Sequence, residues 1–465
     1  MDPTQQCVDL LLQKVGLGSI LVLAPDESDV DAICKKLQKF TIRYIRLDSS
    51  LSRADRYMNF LKLLSSTECI VVGARSAVFA PIPNLKCVIL FKESSFDHFE
   101  KRSPGWNVRD VLALRSEIDD FQRIYMGYVP SLDLSLLIEN AKLKYIFHTH
   151  QLNVKAFSSN DGALLPDRIF KDIRKGLTRG PVLFIVPRKG YGNALLCANC
   201  KNVAVCTCGS RLAVISKNAD PLCLLCHTTY PDWSCSWCHG KKQYMGSRGI
   251  DRAGEEISRA FPGLPLLLSF GDVIKTSVEN RPALVLATPG SAPRVKGGYG
   301  AVVILEGWKF FAHTDLRSQE RARELFFETA AMSEINGLVL LSLDETHPIV
   351  SSLVRWNPGA LIRRELNERL EIPLPPYVST VIITGDAREF TMIASGLRKA
   401  LDDGRLPSEV KIFGPSDEGG NIAKIVMYCP PEKRAVLGDF LRELARRRSI
   451  AKKEFLTFRF DPYSL

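Results

Sequence analysis

The sequence predicts an α/β protein with a cysteine-rich insert and a separate C-terminal α+β domain. Three observations predict this fold class. Short β-branched segments alternate with amphipathic segments over most of the chain, as in parallel sheets that are covered by helices. Eight cysteines fall within the 42 residues from Cys197 to Cys238. From residue 372 onward, the strand-like and helix-like segments follow a different order.

Residues 1–150 are predicted to form a first domain, a parallel sheet with helices between its strands. The predicted strands are short and largely apolar: SILVLAP, YIRLD, ECIVVG and CVILF. Amphipathic segments lie between them and are expected to be helices: SDVDAICKKLQKF and SRADRYMNFLKLLSS. Ser28 is expected to cap the first of these helices.

Residues 165–365 are predicted to form a second α/β domain, after a polar linker with the sequence HQLNVKAFSSNDGALLPD. Its expected helices are PDRIFKDIRKGLTRG, DRAGEEISRAF and LRSQERARELFFETAAM. Its expected strands are PVLFIVP, LPLLLSF, ALVLAT, AVVILEG and GLVLLSL. The cysteine cluster interrupts this domain near its start, as an insert over residues 195–242.

Residues 372–465 are predicted to form a C-terminal domain with the element order β-α-β-β-α-β. Strands are expected at 378–384, 410–413, 422–428 and 455–460, and helices at 388–401 and 432–446. This order is that of the split β-α-β motif of ferredoxin-like domains.

The chain has a formal net charge of +11, which favours a polyanionic partner where the charge is concentrated. The segment 188–252 contains nine basic and three acidic residues, a net charge of +6, so over half of the excess lies around the cysteines. A second basic segment, RELARRRSIAKKE, is equally well explained as a solvated helix face. No apolar run is long enough to span a membrane, and acidic Asp2 does not fit a signal peptide. The protein is therefore expected in the cytoplasm, without membrane contact.

Clustered cysteines in a reducing compartment indicate metal ligands rather than disulfides. Eight thiolates suit two closed, tetrahedral four-sulfur zinc sites, and an iron–sulfur cluster or a redox relay is the alternative. One pair has the short spacing C-T-C, so His227 or His239 is a candidate substitute ligand if Cys206 or Cys208 binds poorly. The favoured alternative is that both histidines are exposed polar residues. The candidate ligands are Cys197, Cys200, Cys206, Cys208, Cys223, Cys226, Cys235 and Cys238.

The sequence contains no recognisable catalytic machinery. A P-loop, G-x-x-x-x-G-K-[ST], is absent. A magnesium-binding acid is expected directly after an apolar strand, yet the matching segment CVILFKESS offers only Glu93. His148 and His150 in IFHTH have no evident partners for catalysis. We expect no catalytic residues and neither ATP nor magnesium as cofactors.

Several segments resemble the replication-restart helicase family of PriA, also called primosomal protein N′. VVGARSAVFAPIPNL resembles the family's G-T-R-S-A-x-F-x-P segment, and VPRKGYGNALLCANC resembles the R-R-G-Y segment that leads into its zinc module. HTDLRSQER is similar to P-D-F-R-A-x-E-R. Further similarities follow in chain order over nearly the whole sequence: AFPGLPL, LPPY, FGP and FDPYSL. The resemblance implies two RecA-like helicase lobes for the two α/β domains.

The sequence also departs from the family. The D-E-E-H box corresponds to Phe91, Lys92, Glu93 and Ser94, and the arginine-finger box has become ETAAMSEING. The glycine-rich segment Q-M-I-A-K-G is PGSAPRVKGG. The chain therefore resembles the helicase-defective actinobacterial members, with degenerate lobes. It begins near the first lobe, and whether the family's N-terminal DNA 3′-end-binding domain precedes it is open.

The resemblance implies how the cysteines are shared and what the protein binds. The outer pairs, Cys197, Cys200, Cys235 and Cys238, would hold one zinc ion, and the inner pairs, Cys206, Cys208, Cys223 and Cys226, the other. Expected partners are forked or single-stranded DNA, single-strand binding protein, and replication-restart and helicase-loading proteins. The candidate DNA contacts are Arg75, Arg188, Lys189, Trp233, Trp237 and Arg248. For both tryptophans, packing against the zinc knuckles is the alternative.

The implied function is replication restart: binding stalled forks and helping to reload the replicative helicase, without unwinding DNA. Two alternatives stay open at this stage. One is a residual ATP-dependent 3′-to-5′ DNA translocase that uses unrecognised residues. The other is a zinc-stabilised protein-interaction scaffold with no role at DNA.

Overall fold

The structure is a computed structural model that describes residues 3–158, 164–187, 195–200, 202–208, 211–214, 219–223, 226–245, 250–312 and 315–464. The described residues form two compact units. One combines Met1–Tyr145 with Ile362–Leu465, and the other is Ile146–Leu361. The domain limits 1–150, 165–365, 195–242 and 372–465 stay predictions.

The N-terminal part of the first unit alternates helices with strands. Its helices are α1 (Pro3–Leu12), α2 (Glu27–Lys39), α3 (Arg53–Ser65), α4 (Val108–Arg115) and α5 (Leu132–Glu139). Its strands are β1 (Ser19–Leu23), β2 (Ile45–Leu47), β3 (Ile70–Gly73), β4 (Leu85–Leu90), β5 (Phe99–Glu100), β6 (Trp106–Asn107) and β7 (Gln122–Tyr125). The main sheet has the order β2-β3-β1-β4-β7, and its neighbouring strands are parallel. The predicted parallel sheet is confirmed.

Helix α2 begins directly after β1, and its capping residue is Asp26. The Asp26 backbone is extended, and its carboxylate accepts a hydrogen bond from the N–H of Asp29 at 2.8 Å. Ser28, the cap expected from the sequence, already lies within the first helical turn. That expectation was wrong because the strand ends close enough to the helix for an earlier acid to reach the free amide.

The connections between strands diverge at the carboxyl edge of this sheet. Strand β1 lies between β3 and β4, with Val22 opposite Val72 on one side and Ile89 on the other. The chain leaves β1 toward β2 on one side, and it leaves β4 toward β7 on the other. Open α/β sheets bind their ligands where such connections diverge. We call the residues that follow Leu23 and Leu90 the switch point.

The second unit contains another parallel sheet. Its helices are α6 (Phe170–Leu177), α7 (Ile250–Ala260), α8 (Ser318–Ala330) and α9 (Pro348–Val354), followed by α10 (Gly359–Glu371). Its strands are β8 (Asn153–Phe157), β9 (Val182–Ile185), β10 (Leu195–Cys197), β11 (Leu212–Ala213), β12 (Leu222–Cys223), β13 (Gln243–Met245), β14 (Leu266–Ser269), β15 (Ser277–Val278), β16 (Leu284–Ala287), β17 (Arg294–Val295), β18 (Tyr299–Ile304) and β19 (Ser333–Ser342). The main sheet has the order β14-β16-β9-β18-β19-β8 with parallel neighbours.

The stretch expected to be a polar linker contains strand β8. Residues Asn153–Phe157 pair in parallel with β19, from Leu338 opposite Asn153 to Ser342 opposite Phe157. The linker prediction was wrong here because an edge strand with alternating exposure carries a weak apolar signal. Its pairing depends on residues far away in the sequence.

The C-terminal part of the first unit begins within α10, at Ile362. Its elements are β20 (Ser379–Asp386), α11 (Ala387–Asp402), β21 (Lys411–Gly419), β22 (Ile422–Cys429), α12 (Arg434–Ile450) and β23 (Thr457–Phe460). The sheet has the order β21-β22-β20-β23, and its neighbouring strands are antiparallel. Helices α11 and α12 contribute Phe390, Leu397, Leu437 and Leu441 to the core beneath this sheet.

The N-terminal and C-terminal parts of the first unit contact each other beside β23. The Ser103 hydroxyl donates a hydrogen bond to the Phe458 carbonyl at 2.9 Å, and the N–H of Phe460 donates to the Pro104 carbonyl at 3.1 Å. The Tyr463 ring packs edge-on against Phe96, with 4.5 Å between the ring centroids. These contacts explain why chain segments distant in sequence share one compact unit.

None of the helices in the described ranges combines the length and the apolar character that crossing a bilayer requires.

Candidate functional site

The cysteine module is built on two short antiparallel strand pairs. Strand β10 pairs with β13, and β11 pairs with β12. A small core lies between them, and it contains cysteine side chains as well as apolar ones. Its members are Leu195, Cys197, Ala204, Cys206, Leu212, Val214, Cys223, Trp233 and Cys235. Because so few apolar residues are buried, the module depends on its cysteines for stability.

Among the described residues, the eight cysteine sulfurs form two groups. The first group contains Cys197, Cys200, Cys235 and Cys238, whose Sγ atoms all lie within 4.8 Å of one another. The Sγ atoms of Cys197 and Cys238 are 3.4 Å apart, and those of Cys200 and Cys235 are 3.5 Å apart. The group therefore joins the first and the last C-x-x-C pairs of the module.

The second group contains Cys206, Cys208, Cys223 and Cys226, again within 4.8 Å of one another. The Sγ atoms of Cys206 and Cys226 are 3.4 Å apart, and those of Cys208 and Cys223 are 3.5 Å apart. The short C-T-C pair thus places both of its sulfurs in the group. Both groups are the ones that the family resemblance implies.

These distances fit a tetrahedral four-sulfur metal site. Disulfide sulfurs would be about 2.05 Å apart, and none of these cysteines forms a disulfide. A tetrahedral zinc ion with Zn–S bonds of about 2.3 Å holds its sulfurs about 3.8 Å apart. The observed spacings lie close to that value, so the residues present suit zinc. Four thiolates leave no coordination position for water, which is typical of a structural site.

Hydrogen-bond donors around Cys197 and Cys206 favour the thiolate form that binds metal. The backbone N–H of Cys200 is the main group that lowers the pKa of the Cys197 thiol to about 6. In the second group, the backbone N–H of Cys208 and then the Tyr230 hydroxyl lower the pKa of Cys206 to about 6. The Tyr230 hydroxyl donates to the Cys206 sulfur at 3.0 Å. Sequence reasoning missed Tyr230, whose only signal was a hydroxyl four residues after a ligand cysteine.

His227 and His239 take a different position from the cysteines. Each follows the second cysteine of a C-x-x-C pair and has a positive φ, 57° and 55° respectively. Their backbone N–H groups donate to the carbonyls of Cys223 at 3.1 Å and Cys235 at 2.9 Å. Both histidines thus close a tight turn through the backbone. Neither belongs to the metal-ligand groups found among the described residues.

The candidate DNA contacts are in unlike surroundings. Trp233 is buried in the module core, with only 7% of its surface exposed, whereas Trp237 is 73% exposed on the knuckle between Cys235 and Cys238. Lys241 and Lys242, close by in sequence, are also exposed. Arg188, Lys189 and Arg248 lie outside the described residues.

Arg75, also a candidate DNA contact, makes several contacts within the first unit. Its guanidinium donates to the carbonyls of Asp97 at 3.0 Å and Phe99 at 2.8 Å. It also pairs with the Glu100 carboxylate at 2.9 Å. These contacts hold Arg75 against the segment that follows the switch point. Its role at phosphate stays a prediction.

At the switch point, acidic and basic groups are arranged opposite to those of a nucleotide site. Phosphates bind at helix N-termini because free N–H groups and the helix dipole attract anions. Here the start of α2 carries Asp26, Glu27 and Asp29. Lys92, directly after β4, has its Nζ 3.0 Å from a carboxylate oxygen of Asp29. The position where a magnesium-binding acid is expected therefore carries a cation, and the helix start carries anions.

Glu93, the remaining acidic residue of the segment CVILFKESS, is buried, and both of its carboxylate oxygens accept hydrogen bonds. Its carboxylate accepts hydrogen bonds from Arg109 at 2.7 Å and from the Ser131 hydroxyl at 2.7 Å. The Ser131 N–H donates to its other oxygen at 3.1 Å. Arg109 also pairs with Asp133 at 3.1 Å. Sequence reasoning did not find Arg109 or Ser131, since neither lies near Glu93 along the chain.

The chain is similar in sequence to replication restart proteins over most of its length. It is 30% identical over 470 residues to the probable replication restart protein PriA of Mycobacterium leprae, covering 92% of this chain and 71% of the relative. It is 30% identical to the Mycobacterium tuberculosis protein of the same name, covering 87% of this chain and 65% of that one. The replication restart protein PriA of Treponema pallidum is 23% identical, with 86% and 65% covered.

The other comparisons contribute little. No family model matches the chain. The solved structure of the E. coli DExH-box NTPase HrpB aligns with 74% of this chain and 42% of its own at a TM-score of 0.33 and 13% identity, which is too low to support an argument. The sequence relatives do support an assignment to a family. The chain spans about two thirds of their length. On their evidence, the chain belongs to the PriA replication restart family.

Proposed function

We propose that this protein is a non-unwinding replication-restart factor that binds forked or single-stranded DNA and helps to reload the replicative helicase. The observation that carries the proposal is the contrast between two regions of the chain. The cysteine module retains both four-sulfur groups, whereas the switch point has its charges paired internally.

The architecture follows the same family. The two parallel sheets are degenerate RecA-like helicase lobes, and the C-terminal part is a ferredoxin-like domain whose strand order, β21-β22-β20-β23, supports that assignment. The module is a two-zinc insert of the second lobe. Zinc ions in both groups act as structural cross-links, because four thiolates each leave no site for a reacting molecule.

The charges around the switch point disfavour binding of an ATP–magnesium complex. An ATP–magnesium complex needs a phosphate-attracting helix start and a free carboxylate for the metal. Phosphate at the start of α2 would meet Asp26 and Glu27, and magnesium at the carboxyl end of β4 would meet Lys92. Glu93 could serve only by depriving the buried Arg109 of part of its counter-charge, which costs several kcal/mol. We therefore assign no catalytic residue and no nucleotide cofactor.

DNA binding is assigned to the cysteine module. Exposed aromatic rings stack on bases with about 1–3 kcal/mol each, and lysines near them attract the phosphate backbone. Trp237 with Lys241 and Lys242 offers such a surface, whereas Trp233 serves the module core. Arg188, Lys189 and Arg248 add positive charge to the same stretch of sequence.

We assign the protein to the cytoplasm. All thirteen cysteines lie in the described ranges and none forms a disulfide, which is usual in a reducing cytoplasm. The relatives' names place them in replication restart. Single-strand binding protein and helicase-loading proteins are the partners that such a factor requires.

Fork-DNA binding by the purified chain, with and without ATP and magnesium, tests the proposal. We expect binding that weakens steeply with salt and does not respond to ATP. Trp237→Ala should weaken binding about tenfold, whereas Tyr57→Ala, an exposed aromatic on α3, should leave it unchanged. Tight magnesium-dependent ATP binding would instead support a residual translocase. No DNA binding even at low salt would leave only a protein-interaction scaffold.

A further inference from the structure

The two four-sulfur groups differ in the donors that surround their sulfurs. In the first group, the Cys197 sulfur accepts hydrogen bonds from the backbone N–H groups of Cys200 and Asn199. The Cys235 sulfur accepts them from the N–H groups of Cys238 and Trp237, the latter at 3.4 Å. In both C-x-x-C turns of this group, the first cysteine thus accepts hydrogen bonds from the backbone N–H groups two and three residues later in the sequence.

The C-T-C pair closes its chelate ring one residue earlier. Its second ligand, Cys208, is two residues after Cys206, and its backbone N–H donates to the Cys206 sulfur. The residue three positions after Cys206 is Gly209, which follows the pair and lies outside the described residues. Within the ring that the two cysteines form with a metal, the C-T-C spacing therefore offers one amide donor fewer than C-x-x-C.

A tyrosine from another part of the module contacts this sulfur. The Tyr230 hydroxyl donates to Cys206 Sγ at 3.0 Å and accepts a hydrogen bond from the N–H of Thr207 at 3.3 Å. The hydroxyl thus accepts one hydrogen bond from the backbone and donates another to the sulfur. The Tyr230 N–H donates to the Pro221 carbonyl at 2.7 Å, and the ring packs against the module core. The side chain is thus held from both ends.

The second group has a further hydroxyl near a sulfur. Thr228 Oγ1 lies 3.2 Å from the sulfur of Cys226. Once a metal holds Cys226 as a thiolate, the hydroxyl can only be the donor. Donors around a metal's ligands orient them and typically change metal affinity by about 10–100-fold.

We infer that Tyr230 is a positioning residue of the second metal site, whose hydroxyl replaces the backbone donor that the C-T-C spacing removes from the chelate ring. Thr228 assists at Cys226. The inference rests on the proposed zinc binding and adds to it that the two sites hold metal by different means. Removing the Tyr230 hydroxyl should therefore weaken one site and leave the other intact.

Zinc release from the full chain to a chromogenic chelator tests the inference, with total zinc measured first. Tyr230→Phe keeps the ring in the core and removes only the hydroxyl. We expect two zinc ions in the wild type, and in the variant about tenfold faster release of one of them. Tyr299→Phe is the matched control, because it removes a buried hydroxyl that donates to Pro293 at 2.6 Å, away from the cysteines. It should release both ions at wild-type rates.

A coupled variant separates positioning from general stability. Inserting a glycine after Thr207 converts C-T-C to C-T-G-C and restores an amide to the ring, so Tyr230→Phe should then have a much smaller effect. Thr228→Val should accelerate release of the same ion, by less than Tyr230→Phe. Cobalt-substituted protein should show changed sulfur-to-metal charge-transfer absorption for one site only.

The outcomes distinguish the positioning role of Tyr230 from the proposal that the chain binds two zinc ions. Wild-type release from Tyr230→Phe, or equal acceleration of both ions, would overturn the positioning role while the two-zinc proposal stood. An equal effect of Tyr230→Phe with and without the inserted glycine would also overturn it. A wild-type chain without bound zinc would overturn both.

Discussion

The cysteine module and the switch point are two places where charged and donor groups converge, and they differ in how these groups are compensated. In the module, each sulfur group brings four thiols within 4.8 Å of one another, and hydrogen-bond donors lower the pKa of Cys197 in one group and of Cys206 in the other. Thiolates at such distances repel one another, so a dication is needed to hold them. At the switch point, Lys92 pairs with Asp29 and Arg109 pairs with Glu93. The four-sulfur groups could hold metal ions, whereas the charged groups at the switch point pair with one another.

The switch point shows how charged groups at the carboxyl end of a parallel sheet can compensate one another. An empty nucleotide site would leave a helix start, a carboxylate and a crevice without partners. The acidic residues at the start of α2 interact favourably with the helix dipole. Lys92, which follows β4, pairs with Asp29 among them.

The largest effect is expected from Cys208→Ala in the module. Losing one of the four thiolates that hold an ion should release one of two zinc ions per chain. The effect is large because binding of structural zinc contributes on the order of 10 kcal/mol to the folding of such a module. Zinc stoichiometry by elemental analysis measures the result. His227→Ala is the control and should retain both ions, because His227 acts through its backbone. Two ions retained after Cys208→Ala would mean that another group completes the site.

A large loss of stability is expected from Glu93→Ala at the switch point. The change leaves Arg109 buried with only part of its counter-charge, so the free energy of unfolding should fall by about 3 kcal/mol or more. Urea denaturation measures it, and Glu93→Gln serves if the alanine variant does not fold. Glu100→Ala removes a partly exposed partner of Arg75 and should cost less than about 1 kcal/mol. Unchanged stability with lost ATP binding would identify Glu93 as a magnesium ligand instead.

A pH effect is expected from His98, whose ring Nε2 is 2.8 Å from the carbonyl of Phe91 beside the switch point. Complete burial lowers the pKa of this histidine from 6.5 to about 4. The unfolded chain therefore binds a proton between these values that the folded chain excludes, and stability falls as pH drops through this window. The loss should reach about 3 kcal/mol near pH 4.

Denaturation at pH 7, 5.5 and 4.5 checks this expectation against His98→Gln. The variant is less stable at pH 7 but should lack the His98 part of the pH dependence. Equal pH slopes for the two proteins would contradict the burial of a neutral imidazole at this position.

The smallest effect is expected from Asp26→Ala at the start of α2. Its carboxylate caps the helix by accepting the Asp29 N–H at 2.8 Å, and loss of such a cap costs about 1 kcal/mol. Ser28→Ala, at the cap position expected from the sequence, should change the unfolding free energy by a few tenths of a kcal/mol at most. Thermal and urea unfolding of the two variants measure the difference, and a reversed order would restore Ser28 as the cap.

Much of the fold could be predicted from the sequence because the relevant signals are local. Apolar β-branched runs predicted β1 to β4 of the first parallel sheet and β9, β14, β16, β18 and β19 of the second, but not β7. The C-terminal pattern predicted β20, α11, β21, β22, α12 and β23 in order. Strand β8 was missed because its alternation of exposed and buried residues makes sense only beside β19. The cap of α2 was misplaced because it depends on where β1 ends.

The sequence by itself determined which side chains could bind metal and which segments could become strands or helices, because cysteine spacing and hydrophobic periodicity are properties of neighbouring residues. Only the tertiary structure decided that Trp233 is buried while Trp237 is exposed. It also decided that Lys92 meets Asp29, that Glu93 meets Arg109, and that Tyr230 reaches Cys206. Each of these outcomes depends on packing between residues that are distant along the chain, where spacing carries no information.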